Sequence, residues 1–132
     1  MVAVDPETLE LNRLVARKLV GRLHYPNPSK DVLERILEED PKYIAGPLVA
    51  SLQDDESKPY SIRALKEMGP NEHSVKFLVY ALSCDVRRDT AIDILHHYGR
   101  NGYVIEALFK NINNPDIGDL SKKLLRDIGT NF

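Results

Sequence analysis

Three glycines at a constant spacing constrain the fold of this chain more than any other feature. Gly69, Gly99 and Gly129 lie 30 residues apart, and the segments before them share one pattern. The positions one, four and five residues before each glycine are apolar, which places them on one stripe of an α-helix. A glycine directly after such a stripe is typical of a helix end. The apolar columns are Met68, Tyr98 and Ile128, then Leu65, Leu95 and Leu125, then Ala64, Ile94 and Leu124, and a small-residue column holds Ser61, Ala91 and Ser121.

A second apolar helix is repeated at the same spacing. Its columns are Leu48, Leu78 and Leu108, then Leu52, Leu82 and Ile112, then Val49, Val79 and Phe109. The breaks between helices, such as "QDDESKP" and "NINNPD", are polar or contain proline, as turns do. No segment has the β-branched alternation of a strand. The pattern therefore predicts eight helices, at 6–23, 29–39, 41–53, 58–68, 71–83, 86–98, 101–112 and 116–129.

Two helices in a unit of about 30 residues predict an all-α fold, an α-α superhelix or solenoid. Each helical hairpin must stack on its neighbours to bury its apolar stripe. The 132 residues are expected to form one domain of about three and a half hairpins. Its parts are an N-terminal helix (1–28), repeats at 29–57, 58–87 and 88–117, and a C-terminal half repeat (118–132). The first repeat lacks the glycine and is the weakest match.

The segment 85–116, "DVRRDTAIDILHHYGRNGYVIEALFKNINNPD", resembles a HEAT-like repeat of the type found in phycobilisome lyases. The resemblance covers 58–129 well and 1–40 poorly, and it implies a HEAT-like solenoid. It implies little about function, because this repeat occurs in lyases, hydroxylases, DNA-repair enzymes and scaffolds. The matching positions are Asp85, Val86, Arg87, Ala91, Leu95, Tyr98, Gly99, Leu108 and Ile112.

Composition and charge narrow the classes of partner. The net charge of −2 argues against a general binder of nucleic acid or membrane surfaces. Residues 29–57 carry 3 basic against 8 acidic residues, which suits either a basic partner or a solvated helix face. A single cysteine, Cys84, excludes an intramolecular disulfide and a cysteine-based zinc cluster. We expect a cytoplasmic protein, since the chain has neither signal-peptide features nor an apolar run of about 18 residues.

The adjacent histidines His96 and His97 are the most obvious candidates for chemistry, but their columns argue against it. The equivalent positions hold the charged pairs Lys66-Glu67 and Arg126-Asp127, which indicates an exposed helix face. Adjacent helical side chains also point about 100° apart, so the two rings cannot readily hold one metal ion. We predict two surface histidines that form a pH-sensitive patch near Arg100.

Other catalytic signatures are missing from the sequence. Deoxyhypusine hydroxylase, a HEAT-like enzyme, builds its di-iron site from His-Glu pairs, and this chain has no His-Glu dipeptide. Cys84 has no base in register with it, and Asp54-Asp55-Glu56 lacks the spacing of a calcium loop. We therefore predict a protein that is not an enzyme and has no catalytic residue, cofactor or metal.

An aromatic ladder on the second helices is the strongest candidate site. Tyr43, His73 and Tyr103 recur at the repeat spacing, opposite the predicted core residues Val75, Leu78, Val79 and Leu82. Tyrosine is common at binding surfaces because its side chain combines a large rigid ring with a polar hydroxyl group. The alternative is that these rings pack against neighbouring hairpins. The predicted protein-binding set is Tyr43, His73, Phe77, Tyr80, Tyr103 and Lys110, with Lys76 and Glu106 at the rim.

Two other functions stay open. A nucleic-acid-associated accessory subunit would use Arg87, Arg88, Arg100, Lys122, Lys123 and Arg126, although scattered charges and the absence of tryptophan weigh against nucleic acid. The other open function, third after the interaction module and the nucleic-acid subunit, is that of a HEAT-like lyase or hydroxylase accessory protein.

The terminal helices suggest a homodimer, because solenoid ends normally need polar caps. The last helix has an apolar stripe with one side uncovered and Phe132 nearby, and the first helix has two apolar arcs. The stripe is Ile117, Leu120, Leu124, Leu125 and Ile128, and the arcs are Leu9, Ala16, Leu19, Val20 and Leu23 against Leu11, Leu14 and Val15.

Overall fold

A computed structural model describes residues 6–24 and 30–129 of the chain. Within these residues the fold consists of eight α-helices and has no strand. The predicted helices are confirmed, each to within about one turn at its ends. The helices are α1 (Pro6–Gly21), α2 (Lys30–Glu38), α3 (Pro41–Ala50), α4 (Lys58–Met68), α5 (Glu72–Ala81), α6 (Arg88–Tyr98), α7 (Gly102–Lys110) and α8 (Gly118–Asp127), and 3₁₀ turns (Arg22–His24 and Ser51–Gln53) follow α1 and α3.

The helices pack as two rows. In the odd row, α1 contacts α3, α3 contacts α5, and α5 contacts α7. In the even row, α2, α4, α6 and α8 contact one another in the same succession. The core lies between the rows, where the predicted columns Leu48, Leu78 and Leu108 meet Leu65, Leu95 and Leu125, all of them buried. No helix in the described part is long and apolar enough to cross a membrane.

The 30-residue spacing is visible in the backbone as well as in the sequence. Gly69, Gly99 and Gly129 all have a positive φ, of 79°, 66° and 88°, a conformation that favours glycine. The backbone amides at the starts of α4, α6 and α8 also donate to the carbonyl four residues earlier, at the same distance in all three helices. These bonds run from Lys58 to Asp54, from Arg88 to Cys84 and from Gly118 to Asn114, each at 2.8 Å.

The terminal helices differ from one another in how fully they are covered. On α1 one predicted arc is buried, apart from the half-buried Leu9, while Leu11 and Leu14 are exposed. The stripe on α8 is less open than predicted, because its central leucines and Ile117 are buried within the chain. Its uncovered side is confined to the half-buried Leu120 and Ile128, and Phe132 lies outside the described residues. Homodimerisation through these helices stays a prediction.

One buried hydroxyl leads to a stability prediction. Ser121 Oγ is buried on α8 and has no hydrogen-bond partner among the described residues, whereas Ser61 Oγ in the same column bonds to Ser51 Oγ. Burying an unpaired hydroxyl costs free energy. Ser121→Ala is therefore expected to raise the free energy of unfolding by about 1 kcal/mol in urea titrations. Ser61→Ala is the matched control and is expected to lower it. A loss of stability in Ser121→Ala would contradict the prediction.

Candidate functional site

The predicted ladder lies on α3, α5 and α7, three consecutive helices of the odd row. Its members differ in exposure: Tyr80 is 65% exposed and Tyr103 50% exposed. Tyr43, His73 and Phe77 are half-buried, and the rings of Tyr43 and Phe77 pack against the core. Only part of the ladder is thus fully available to a binding partner.

A groove between α5 and α7 lies beside the two exposed tyrosines. We call it the tyrosine groove, and its volume is about 330 Å³. Its apolar part is formed by Val75, Val79 and Ala107, of which the two valines are buried. Tyr80 and Tyr103 supply the aromatic surface, and four charged side chains complete the lining. These charged residues are Glu72, Lys76, Glu106 and Lys110, and Asn111 lies beside them.

The helix starts explain why residues of the two helices face the same groove. The side chain of Asn71 accepts the backbone amide of His73 at the start of α5, and Asn101 accepts that of Tyr103 at the start of α7. Both asparagines act as N-caps. Because the caps are 30 residues apart, the two helices begin in the same register and equivalent side chains lie on the same side.

The charges of the tyrosine groove balance. Lys110 Nζ lies 3.1 Å from Glu106 Oε1, one turn earlier on α7, and both side chains are largely exposed. On α5, Glu72 and Lys76 have the same i,i+4 spacing. An exposed pair such as Glu106 and Lys110 contributes little to stability, so breaking it to bind a charged group of a partner would cost little free energy.

Phe77 has a packing role that the periodic pattern did not reveal. A Cβ placed on Gly46 of α3 would lie 3.2 Å from Phe77 Cζ, so the phenylalanine ring fills the space beside that glycine. Pro47 follows inside the same helix, where proline removes a backbone hydrogen bond. For Phe77, packing against the neighbouring helix is thus the better interpretation.

A second opening, which sequence reasoning missed, lies where α1, α3 and α5 meet. We call it the basic cleft, and its volume is about 280 Å³. Its lining residues are Arg13, Arg17, Lys42, Tyr43, Gly46, Pro47 and Phe77. Three are cationic, two are aromatic and none is acidic. The sequence signal was a pair of arginines at i,i+4 on the first helix, a spacing that places both on one face.

Two arginines of the alternative basic set, Arg87 and Arg88, have well-defined local contacts. Arg88 donates to the backbone carbonyl of Leu82 and forms an ion pair with Asp85, both at 2.8 Å. Arg87 Nε donates to Cys84 Sγ at 3.3 Å. Lys122 is half-buried, whereas Arg100, Lys123 and Arg126 are exposed. None of the six residues lines the tyrosine groove or the basic cleft.

The histidines lie on the surface, as predicted. His96 Nε2 is 3.6 Å from Asp127 Oδ2 on α8, and the His97 ring is tilted against Tyr98 with 6.4 Å between ring centroids. In the same column, Lys66 Nζ lies 3.1 Å from Asp93 Oδ2 on α6. His96 between α6 and α8 thus occupies the position that Lys66 has between α4 and α6. Among the described residues, no group of three or more histidine, cysteine or acidic side chains is placed to hold a metal ion.

Cys84 is half-exposed in the turn before α6. The hydrogen bond from the Arg87 side chain lowers the pKa of the Cys84 thiol, because a donor next to the sulfur favours the thiolate. In the described part of the chain, neither a histidine nor a carboxylate hydrogen-bonds to Cys84. The Cys84 thiol therefore lacks the neighbouring general base that would activate it as a nucleophile.

Comparison of the chain with protein-family models, curated proteins and solved structures gave no match. Arguments about function therefore rest on the geometry of the two openings and on the residues that line them.

Proposed function

We propose that this chain is a non-enzymatic protein-interaction module that acts in the cytoplasm as a scaffold or adaptor. Its fold would be an α-α superhelix of HEAT-like hairpins. The succession of contacts within each row and the repeated backbone geometry of the glycines support this architecture. Stacked hairpins present a continuous surface along one row, and the odd row carries Tyr80 and Tyr103, the exposed tyrosines among the described residues.

The exposure of Tyr80 and Tyr103 beside an apolar groove is the observation that supports binding most directly. Tyrosines are enriched among the residues that dominate binding energy at protein interfaces. A tyrosine side chain offers a large contact area but has few rotatable bonds, so fixing it in one conformation on binding costs little conformational entropy. Lys76, Glu106 and Lys110 at the rim would tune specificity and association rate. The nucleic-acid alternative has less support, since Arg87 and Arg88 are held by local contacts.

Replacement of both tyrosines tests this proposal. We expect Tyr80→Ala with Tyr103→Ala to lose a partner that the wild-type chain captures from an extract of its native cells. Truncating an interface hot spot costs about 2 kcal/mol or more. The melting temperature is expected to stay unchanged because both rings are exposed. Quantitative mass spectrometry of the captured proteins provides the measurement.

Val86→Ala is the matched control, since Val86 is 63% exposed but lies outside both openings. It is expected to retain the partner. Tyr43 is not used because it packs partly against the core, so its truncation would mix stability with binding. A partner that the double variant retains at the wild-type level would rule out the tyrosine groove as the binding site.

A further inference from the structure

The surface formed by the two openings on the odd row has a charge opposite to that of the whole chain. Arg13, Arg17 and Lys42 line the basic cleft, and the tyrosine groove adds two lysines and two glutamates. The two openings together thus carry an excess of positive charge, although the chain has a net charge of −2. The positive charge is concentrated at the α1 and α3 side of this surface.

The cations of the basic cleft are available for a ligand. All three side chains are exposed, and no ion pair involves Arg13, Arg17 or Lys42 within the described residues. The Lys42 ammonium lies 5.8 Å from the centre of the Tyr43 ring. Asp40, two residues before Lys42, uses its carboxylate to cap α3 by accepting the Lys42 backbone amide.

The basic cleft and the tyrosine groove lie on opposite sides of α5. Phe77 lines the cleft, while its sequence neighbour Lys76 and the residue Tyr80, one turn away, line the groove. Lys76 Nζ also lies 5.7 Å from the centre of the Phe77 ring, so one exposed lysine stands between the openings. A peptide segment that crosses α5 would contact both.

We propose that the partner of this surface presents an acidic segment, whose carboxylates bind Arg13, Arg17 and Lys42 and whose neighbouring apolar side chain enters the tyrosine groove. This inference rests on the proposed function and names its partner class. Guanidinium groups bind carboxylates through paired hydrogen bonds, and clusters of arginine recognise acidic motifs. A nucleic-acid strand fits less well, because the tyrosine groove beside the cleft is partly apolar and has no net positive charge with which to bind further phosphates.

Binding of a defined acidic peptide tests the inference. The probe is a fluorescein-labelled 12-residue peptide in which aspartate and glutamate alternate with phenylalanine, measured by fluorescence anisotropy at low ionic strength. Saturable binding is expected, and Arg13→Glu with Arg17→Glu is expected to weaken it about tenfold or more. Replacing the acidic residues of the peptide with serine should abolish binding. Added salt should weaken it, because exposed charges are screened.

The end of α1 and the 3₁₀ turn after it offer a matched control pair. Lys18 and Arg22 have the same i,i+4 spacing and exposure, but they line a different opening, beside Asp31 and Val32. Lys18→Glu with Arg22→Glu thus changes the net charge equally and is expected to keep most of the affinity. Circular dichroism checks folding of all variants. If the reversed pair Arg13→Glu with Arg17→Glu does not fold, Arg13→Gln with Arg17→Gln provides the milder test.

Three outcomes would overturn the inference: no saturable binding of the peptide, an equal loss in both charge-reversal pairs, or tighter binding of a single-stranded oligonucleotide of equal charge. The native partner separates this failure from failure of the proposed function. If that partner is lost with Tyr80→Ala and Tyr103→Ala but retained with Arg13→Glu and Arg17→Glu, the acidic-segment inference is wrong and the tyrosine groove still binds a protein.

Discussion

Replacing Gly118 with alanine is expected to lower the free energy of unfolding by about 2 kcal/mol, the usual range for overpacking in a filled site. Gly118 is the first residue of α8 and is buried. A Cβ at this position would lie 2.6 Å from the carbonyl oxygen of Ile112 and 3.2 Å from its carbonyl carbon. Both are backbone atoms, so the turn before α8 must move to admit the methyl group.

The sign of this effect separates tertiary packing from helix propensity. Alanine is the better helix former by about 1 kcal/mol, so propensity alone predicts that Gly118→Ala stabilises the chain. Gly102, the first residue of α7, is the matched control because a Cβ there would meet no atom within 4 Å. Gly102→Ala is expected to be neutral or stabilising. Urea denaturation of both variants measures the difference, and equal effects would contradict the steric explanation.

Gly118 also shows why part of the fold was predictable from the sequence and part was not. The helices followed from the apolar columns and their glycine ends, since these features act over a few neighbouring residues. Gly118 occupies the column of Lys58 and Arg88, so the periodic pattern predicted no need for a small residue. Its constraint comes from the path of the turn at Ile112. In the preceding unit the Arg88 side chain instead donates to the Leu82 carbonyl.

The candidate site was predictable to a similar degree. Helical periodicity identified the face that holds Tyr80 and Tyr103. It did not separate these exposed rings from Phe77, because that difference depends on the space beside Gly46 on another helix. Arg13 and Arg17 were missed because α1 lies outside the repeating columns, so no register related it to α3 or α5.

Tyr98 links α6 to α4 and gives the fold a distinct sensitivity to alkaline pH. Its hydroxyl donates to the backbone carbonyl of Leu65, which also accepts the amide of Gly69 at the end of α4. Burial raises the pKa of Tyr98 to about 12 from its ordinary value of 10, although the Ser74 hydroxyl offsets part of the rise. The unfolded chain therefore releases this proton at a lower pH than the folded chain.

The sign of the linkage follows from the raised pKa. Below pH 10 the Tyr98 hydroxyl is protonated in both states, so its contribution to stability is fully present, and it is lost as pH rises towards about 12. With a discount for the partial exposure of the ring, this loss amounts to about 2 kcal/mol. Tyr98→Phe cannot ionise and is expected to be free of this loss.

We therefore expect the stability curves of wild type and Tyr98→Phe to cross between pH 10 and about 12. At pH 8 the variant should be less stable by about 1 kcal/mol, because it lacks the hydrogen bond to Leu65. Near pH 12 it should be the more stable protein. Tyr80→Phe, which changes an exposed ring, is the control and should run parallel to wild type in urea titrations across this range. Curves for Tyr98→Phe that also stay parallel to wild type would show that the hydroxyl of Tyr98 does not link stability to pH.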